Sequence, residues 1–158
     1  MSTERRWLGL DQPGLENLAI HAARALVPGS VVHLRGELGA GKTTFARALI
    51  RALTPGARVK SPTYTLVETY AVPGGTLHHL DLYRLASPDE LEYLGVRDLA
   101  SPDAAMLVEW PEKGADALPA ADLVLALAHA GLRRDLVATA DTPAGAAMLA
   151  RLPNEPTR

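Results

Sequence analysis

The sequence predicts an α/β fold, a three-layer sandwich in which a mixed sheet lies between helices. Three observations carry this expectation. The first is the apolar run Val31-Val32-His33-Leu34-Arg35, opened by the turn pair Pro28-Gly29 and followed by Gly36-Glu37-Leu38-Gly39-Ala40-Gly41-Lys42-Thr43. Those eight residues fit G-x-x-x-x-G-K-[ST], and after them Phe45, Leu49, Ile50 and Leu53 recur at helical spacing. Strand, glycine loop and helix in that order make the phosphate-binding P-loop. The second observation is Gly74-Gly75 between two strand-like runs, a hairpin signal that adds antiparallel strands to the sheet. The third is Ala104-Ala105-Met106-Leu107-Val108-Glu109-Trp110-Pro111, a short apolar run that reads as a buried parallel strand ending in a carboxylate. Together they give a P-loop NTPase-like sandwich with a parallel core and antiparallel hairpin strands.

In chain order, Trp7-Leu8-Gly9-Leu10 is a short apolar run suited to an edge strand. Asp11 can cap the next helix, with Pro13 in its first turn and a stripe at Leu15, Leu18, Ala19, Ala22, Ala23 and Leu26. Pro28-Gly29 ends it, and Thr54-Pro55-Gly56 ends the helix after the glycine loop. In Lys60–Tyr70, Pro62 keeps Ser61 extended, and the β-branched and aromatic run from Thr63 to Tyr70 is expected as a strand. Its hairpin partner is expected over Thr76–Tyr83, with His79, Asp81 and Tyr83 on one face and His78, Leu80 and Leu82 on the other. Ser87-Pro88-Asp89-Glu90 starts a helix that Gly95 ends. Leu123–Ala128 and Asp135–Thr139 form a second hairpin around Gly131, and Thr142-Pro143 opens a last helix. Residues 1–152 read as a single domain, and the polar, proline-containing 153–158 as a frayed tail.

Bulk properties narrow the function. At 158 residues with 47% hydrophobic content, the chain is long and apolar enough for one real core. A net charge of −2 supplies no global basic field for nucleic acid, although a local patch would be compatible with it. With no cysteine there is no disulfide and no thiolate metal site. No run reaches transmembrane length, and the first six residues lack a signal-peptide core, so the expectation is a soluble cytoplasmic protein.

The chemistry starts at the glycine loop. Its consecutive backbone N–H groups can cradle phosphate oxygens, and the helix N-terminus adds partial positive charge. Lys42 would reach the β- and γ-phosphates, and Thr43 would offer its hydroxyl to Mg²⁺. Hydrolysis also needs a carboxylate for the metal or the attacking water. Glu109 at the end of its strand and Asp81 in His79-Leu80-Asp81 both qualify, where an isolated acid would read as a helix cap or a solvated loop residue. Thr63, after Pro62, reads either as a γ-phosphate or Mg²⁺ sensor or as ordinary turn chemistry. Trp110 reads as a stacking surface or as core, and Arg133 and Arg134 as solvated charges or as a phosphate contact from outside the loop. A transition-metal site at His78, His79 and Asp81 is disfavoured, because no further ligands stand at metal spacing. No N-K-x-D signature follows the loop, which disfavours a Ras-like GTPase, and no arginine-rich lid of the small nucleotide kinases is evident.

Four linked stretches carry a resemblance: Leu34–Thr44, Ser61–Glu68, His79–Leu85 and Leu107–Glu112. In order and spacing they resemble the bacterial TsaE (YjeE) family, and the likeness spans nearly the whole chain. Leu80, where the family commonly has phenylalanine, is a mild departure. The resemblance implies a small P-loop ATPase needed for threonylcarbamoyladenosine in tRNA. It implies ATP and Mg²⁺ as cofactors and the TsaD–TsaB complex as partner, with tRNA met indirectly through that complex. It also implies site residues: Leu38, Gly39, Ala40, Gly41, Lys42, Thr43 and Thr44 on the phosphates, and Thr43 and Glu109 on Mg²⁺. Thr63 falls in a first switch, Asp81 in a second, and Trp110 near the nucleotide. The start of the first helix, around Asp11 and Gln12, falls where the family approaches the adenine, with Gln12 the candidate. The C-terminal hairpin, with Arg133 or Arg134, falls where a basic contact is expected, with Arg134 the candidate. Lys42, Asp81 and Glu109 are the catalytic candidates. The protein is expected to be monomeric alone, with weak intrinsic hydrolysis. The competing readings are a small-molecule or nucleoside kinase, and a nucleotide-gated binding module without useful hydrolysis.

Overall fold

The computed structural model describes residues 3–154. Seven strands form one sheet: β1 (Glu4–Leu10), β2 (Val31–Arg35), β3 (Val67–Val72), β4 (Gly75–Asp81), β5 (Ala104–Glu109), β6 (Leu123–Ala130) and β7 (Arg133–Ala140). Their order is β1-β7-β6-β2-β5-β4-β3. The four central strands are parallel, and β1, β7 and β3 join antiparallel at the two edges.

The helices are α1 (Gln12–Ala25), α2 (Lys42–Leu53), α3 (Asp89–Tyr93), α4 (Val96–Leu99) and α5 (Pro143–Ala150). Strand residues alternate between two cores, as the period of two requires. Val32, Leu34, Leu77, Ala105 and Leu107 pack with α1, α2 and α5. Val31, Leu80, Met106 and Val108 pack with Leu91 of α3, Val96 of α4 and the short turns after β5. The sandwich is therefore three-layered, with one thick helical layer and one thin one. The glycine loop emerges from the end of β2, beside the ends of β5 and β4, where open parallel sheets bind ligands.

Several local expectations change. The run after Pro62 does not enter the sheet at Thr63; β3 starts only at Val67. Leu66 takes φ 67° and its N–H bonds back to Pro62 O at 2.7 Å, which closes a turn and turns this stretch out of line with a strand. β4 stops at Asp81 because the Asp81 carboxylate accepts the Tyr83 N–H at 3.0 Å, a local side-chain turn that ends pairing. β1 begins at Glu4, earlier than its apolar core, because Glu4, Arg5 and Arg6 pair along β7 through backbone bonds that need no apolar side chain. Gly95, at φ 71°, ends α3 but immediately opens α4. Of the expected tail, residues 155–158 lie outside the described residues, while the Pro153 carbonyl accepts a hydrogen bond from Trp7 Nε1 at 3.2 Å.

Candidate functional site

The loop between β2 and α2 needs its glycines for two separate reasons. Gly41 sits at φ 107°, a region L side chains avoid, and a Cβ there would lie 2.9 Å from Leu15 Cδ2. A Cβ on Gly36 would lie 2.6 Å from the Leu127 carbonyl oxygen. No side chain caps α2, so its first-turn N–H groups face the cleft with their partial positive charge.

That cleft has a volume of about 470 Å³, within the range of small-molecule sites. Leu38, Gly39, Gly41, Lys42, Thr43 and Thr44 line it from the loop and α2, Thr63 from the turn before β3, and Asp81, Glu109 and Trp110 from the ends of β4 and β5. Ten of the expected residues thus converge on one space. Ala40 is fully buried beneath the loop, its N–H bonded to Glu37 O at 3.1 Å. Gln12, exposed at the first position of α1, is not part of the lining. Arg134 approaches from outside: its guanidinium donates to the Gly39 carbonyl at 3.2 Å and so braces the loop.

Register sets the acids. β4 and β5 run parallel with Asp81 opposite Glu109, both on the face that packs against α2. Glu109, 1% exposed, is gripped at both oxygens. Thr43 Oγ1 donates to Oε1 at 3.0 Å, and His79 Nε2 donates to Oε2 at 2.7 Å. Lys42 is also buried; its ammonium donates to the carbonyls of Gly36 and Glu37 and lies 4.0 Å from the centre of the Trp110 ring. Trp110 adopts the left-handed conformation, φ 57° and ψ 49°, and stacks at a tilt on Tyr83 at 5.0 Å.

Burial opposes both charges. Desolvation lowers the Lys42 pKa, against the pull of Glu109, Glu112 and Asp81. Desolvation likewise raises the Asp81 pKa; the Tyr83 N–H opposes it, and the nearby Glu109 carboxylate adds to it. The Thr43 hydroxyl and Glu109 carboxylate supply hard oxygen donors beside the helix N-terminus, a set that fits Mg²⁺, which takes few protein ligands and keeps its waters. His78 faces away from this site, bonded to Thr69 Oγ1 at 2.8 Å.

Three contributors have roles that the sequence reading did not assign: Arg84 and Lys113 were given none, and His79 was placed on the face of Asp81 but without its contact to Glu109. His79 holds Glu109 as just described. Arg84 lines the cleft, and its guanidinium lies 4.9 Å from the Tyr64 ring centre. Lys113 donates to the Tyr83 carbonyl at 2.7 Å and braces the aromatic pair. His79 and Arg84 stand inside the motif His79–Leu85, so the signal was present, but only the register with β5 reveals the His79 contact.

Sheet order, glycine loop and flanking acids define a P-loop fold with its site at the end of the parallel strands. The chain belongs to the TsaE family: the family model described as Threonylcarbamoyl adenosine biosynthesis protein TsaE matches residues 11–136. It is 41% identical over 137 residues to the tRNA threonylcarbamoyladenosine biosynthesis protein TsaE of Haemophilus influenzae, covering 87% of this chain and 84% of that one. The TsaE protein of Bacillus subtilis is 33% identical over 126 residues, covering 80% and 78%. The crystal structure of Bacillus subtilis YdiB superposes with a TM-score of 0.73 at 26% identity, over 95% of this chain and 94% of that one.

Proposed function

We propose that this chain binds and slowly hydrolyses Mg-ATP, and that it acts through this cycle on a TsaD–TsaB complex in the threonylcarbamoyladenosine modification of tRNA in the cytoplasm. Family membership supports the pathway. The observation that carries the nucleotide reading is the buried Glu109 carboxylate, 3.0 Å from the Thr43 hydroxyl at the first turn of an uncapped helix. In this reading the loop amides and Lys42 bind the phosphates, Lys42 exchanging its two backbone acceptors for phosphate oxygens. Thr43 and Glu109 hold Mg²⁺, which when bound would neutralise charge on the phosphate oxygens.

Asp81 then orients the attacking water. Its raised proton affinity suits a group that must accept hydrogen-bonded charge from water. Water adds to the γ-phosphorus, the bond to the β–γ bridging oxygen breaks, and ADP and phosphate leave. Thr63 faces the same space from the turn before β3 and would sense the γ-phosphate. Turnover alone should be slow, with missing groups supplied by a partner, as an arginine finger is.

Phosphate release from ATP, measured with and without TsaD–TsaB, tests this. Glu109→Ala should cut Mg²⁺-dependent release by about 10²-fold or more while weakening nucleotide binding far less. Normal turnover in that variant would remove Glu109 from the site. Transfer of the γ-phosphate to a nucleoside or other small molecule would favour a kinase instead.

A further inference from the structure

The contact between His79 and Glu109 has no role yet in the proposed cycle. His79 is 1% exposed on β4, between β5 and the edge strand β3, and its Nε2 bonds Glu109 Oε2 at 2.7 Å across 30 residues of sequence. Its other ring nitrogen, Nδ1, is buried without a hydrogen-bond partner. Burying a polar ring with one nitrogen unpaired costs free energy that an apolar side chain would not. The neighbouring position on the same strand face, Leu77, is apolar and fully buried. Among the described residues, the Glu109 carboxylate is therefore the one polar group that this imidazole hydrogen-bonds. An ionised carboxylate only accepts, so the hydrogen sits on Nε2 and the bond has a fixed direction.

The two grips on Glu109 differ in kind. Thr43 stands on the loop side of the cleft, at the start of α2, and its hydroxyl is itself a candidate ligand for the same cation. His79 belongs to β4, held in parallel register with β5 from Thr76 to Asp81. One grip can change when phosphate and cation enter; the other is part of the sheet. We infer that His79 is a positioning residue that fixes Glu109 through Oε2, leaving Oε1 aimed at Thr43 and the cation position. This rests on the reading of the cleft as a Mg-ATP site. It assigns His79 no contact with nucleotide, metal or water.

Outer partners of a metal-holding group typically carry 10- to 100-fold of metal affinity or activity. The test compares wild type with His79→Leu and His79→Gln, because a glutamine amide nitrogen is as many bonds from Cβ as the imidazole Nε2. ATP affinity is measured by calorimetry in EDTA and across a Mg²⁺ titration, with the nucleotide-free melting temperature of each variant as a fold check. His79→Leu should raise the Mg²⁺ concentration needed for half-maximal enhancement of ATP binding by about 10-fold or more, and leave the affinity in EDTA unchanged. His79→Gln should recover most of the Mg²⁺ response. An unchanged Mg²⁺ response in folded His79→Leu overturns the inference, as does an equal loss in EDTA and in Mg²⁺, which marks mere structural support. If His79→Leu does not fold, His79→Gln decides alone: a Mg²⁺ response weakened as far as in Glu109→Ala overturns the inference. Wild type that shows no Mg²⁺-enhanced ATP binding refutes the nucleotide reading itself, a result distinct from all of these.

Discussion

In the proposed cycle, Asp81 would trade stability for chemistry. Its carboxylate is 7% exposed, accepts one backbone N–H from Tyr83 and stands opposite Glu109 in the register of β4 and β5. Burial raises its pKa above the model-compound value of 3.8. A carboxylate whose pKa is raised on folding binds its proton more tightly in the native state. Its ionisation therefore disfavours the fold above that raised pKa, and has no effect well below pH 3.8, where both states are protonated. Asp81→Asn, which keeps the acceptor for Tyr83, should raise the melting temperature at pH 7 and lose that advantage as pH falls through the raised pKa toward 3.8, while ATP hydrolysis drops. Thermal melts of both proteins across pH check this; a lower melting temperature for Asp81→Asn at pH 7 would mean that the charged carboxylate is net stabilising. Most of the residues that meet here were legible as types at motif spacing. The glycine pattern requires Lys42 and Thr43, and an acid closing an apolar strand singles out Glu109. The contact of His79 with Glu109 and the roles of Arg84 and Lys113 were not, because they depend on which segment lies beside which, and that information is not local.

Among the elements, α1 and α5, each with two coincident signals, were read correctly. α1 has Asp11 as cap, accepting from Gly14 N at 2.8 Å, together with an apolar stripe. α5 has Thr142 as cap and Pro143 in its first turn. The failures lie where β propensity met turn geometry. Thr63 to Leu66 are good strand formers by type, but the Pro62–Leu66 backbone bond holds them in a turn that carries Thr63 to the cleft. The cap of α5 also ties elements together. Thr142 Oγ1 accepts from Gly145 N at 3.1 Å and donates to Asp122 Oδ1 at 2.7 Å, while Asp122 Oδ2 accepts the Val31 N–H at the start of β2. Thr142→Ala removes both bonds and should cost about 1–2 kcal/mol, lowering the melting temperature by roughly 2–8 °C. Because α5 contributes nothing to the cleft lining, ATP affinity should not change. A calorimetric scan and a binding titration together check that separation, and a loss of affinity would mean that the strand ends move with α5.

At the scale of the molecule, strand order is what makes one site from dispersed segments. The order β6-β2-β5-β4 sets the loop after β2 beside the acids that end β5 and β4, although Lys42, Asp81 and Glu109 are far apart in sequence. The fold class was legible because a strand, glycine loop and helix strongly restrict topology, and a hairpin after them forces antiparallel edges. The pairing of β4 with β5 was not legible, since any two apolar runs could be neighbours. Among the described residues no helix is long and apolar enough to cross a membrane. The family is one of tRNA modification. In the proposed function, ATP serves as a timing device for a partner complex rather than as a phosphoryl donor. The most direct test is a threonylcarbamoylation assay on tRNA with TsaD and TsaB over many turnovers, run with this protein, without it, and with Lys42→Ala. The account predicts sustained modification only with the wild-type chain and ATP, and about one turnover per complex in the other two. Equal multiple-turnover modification with Lys42→Ala would contradict it.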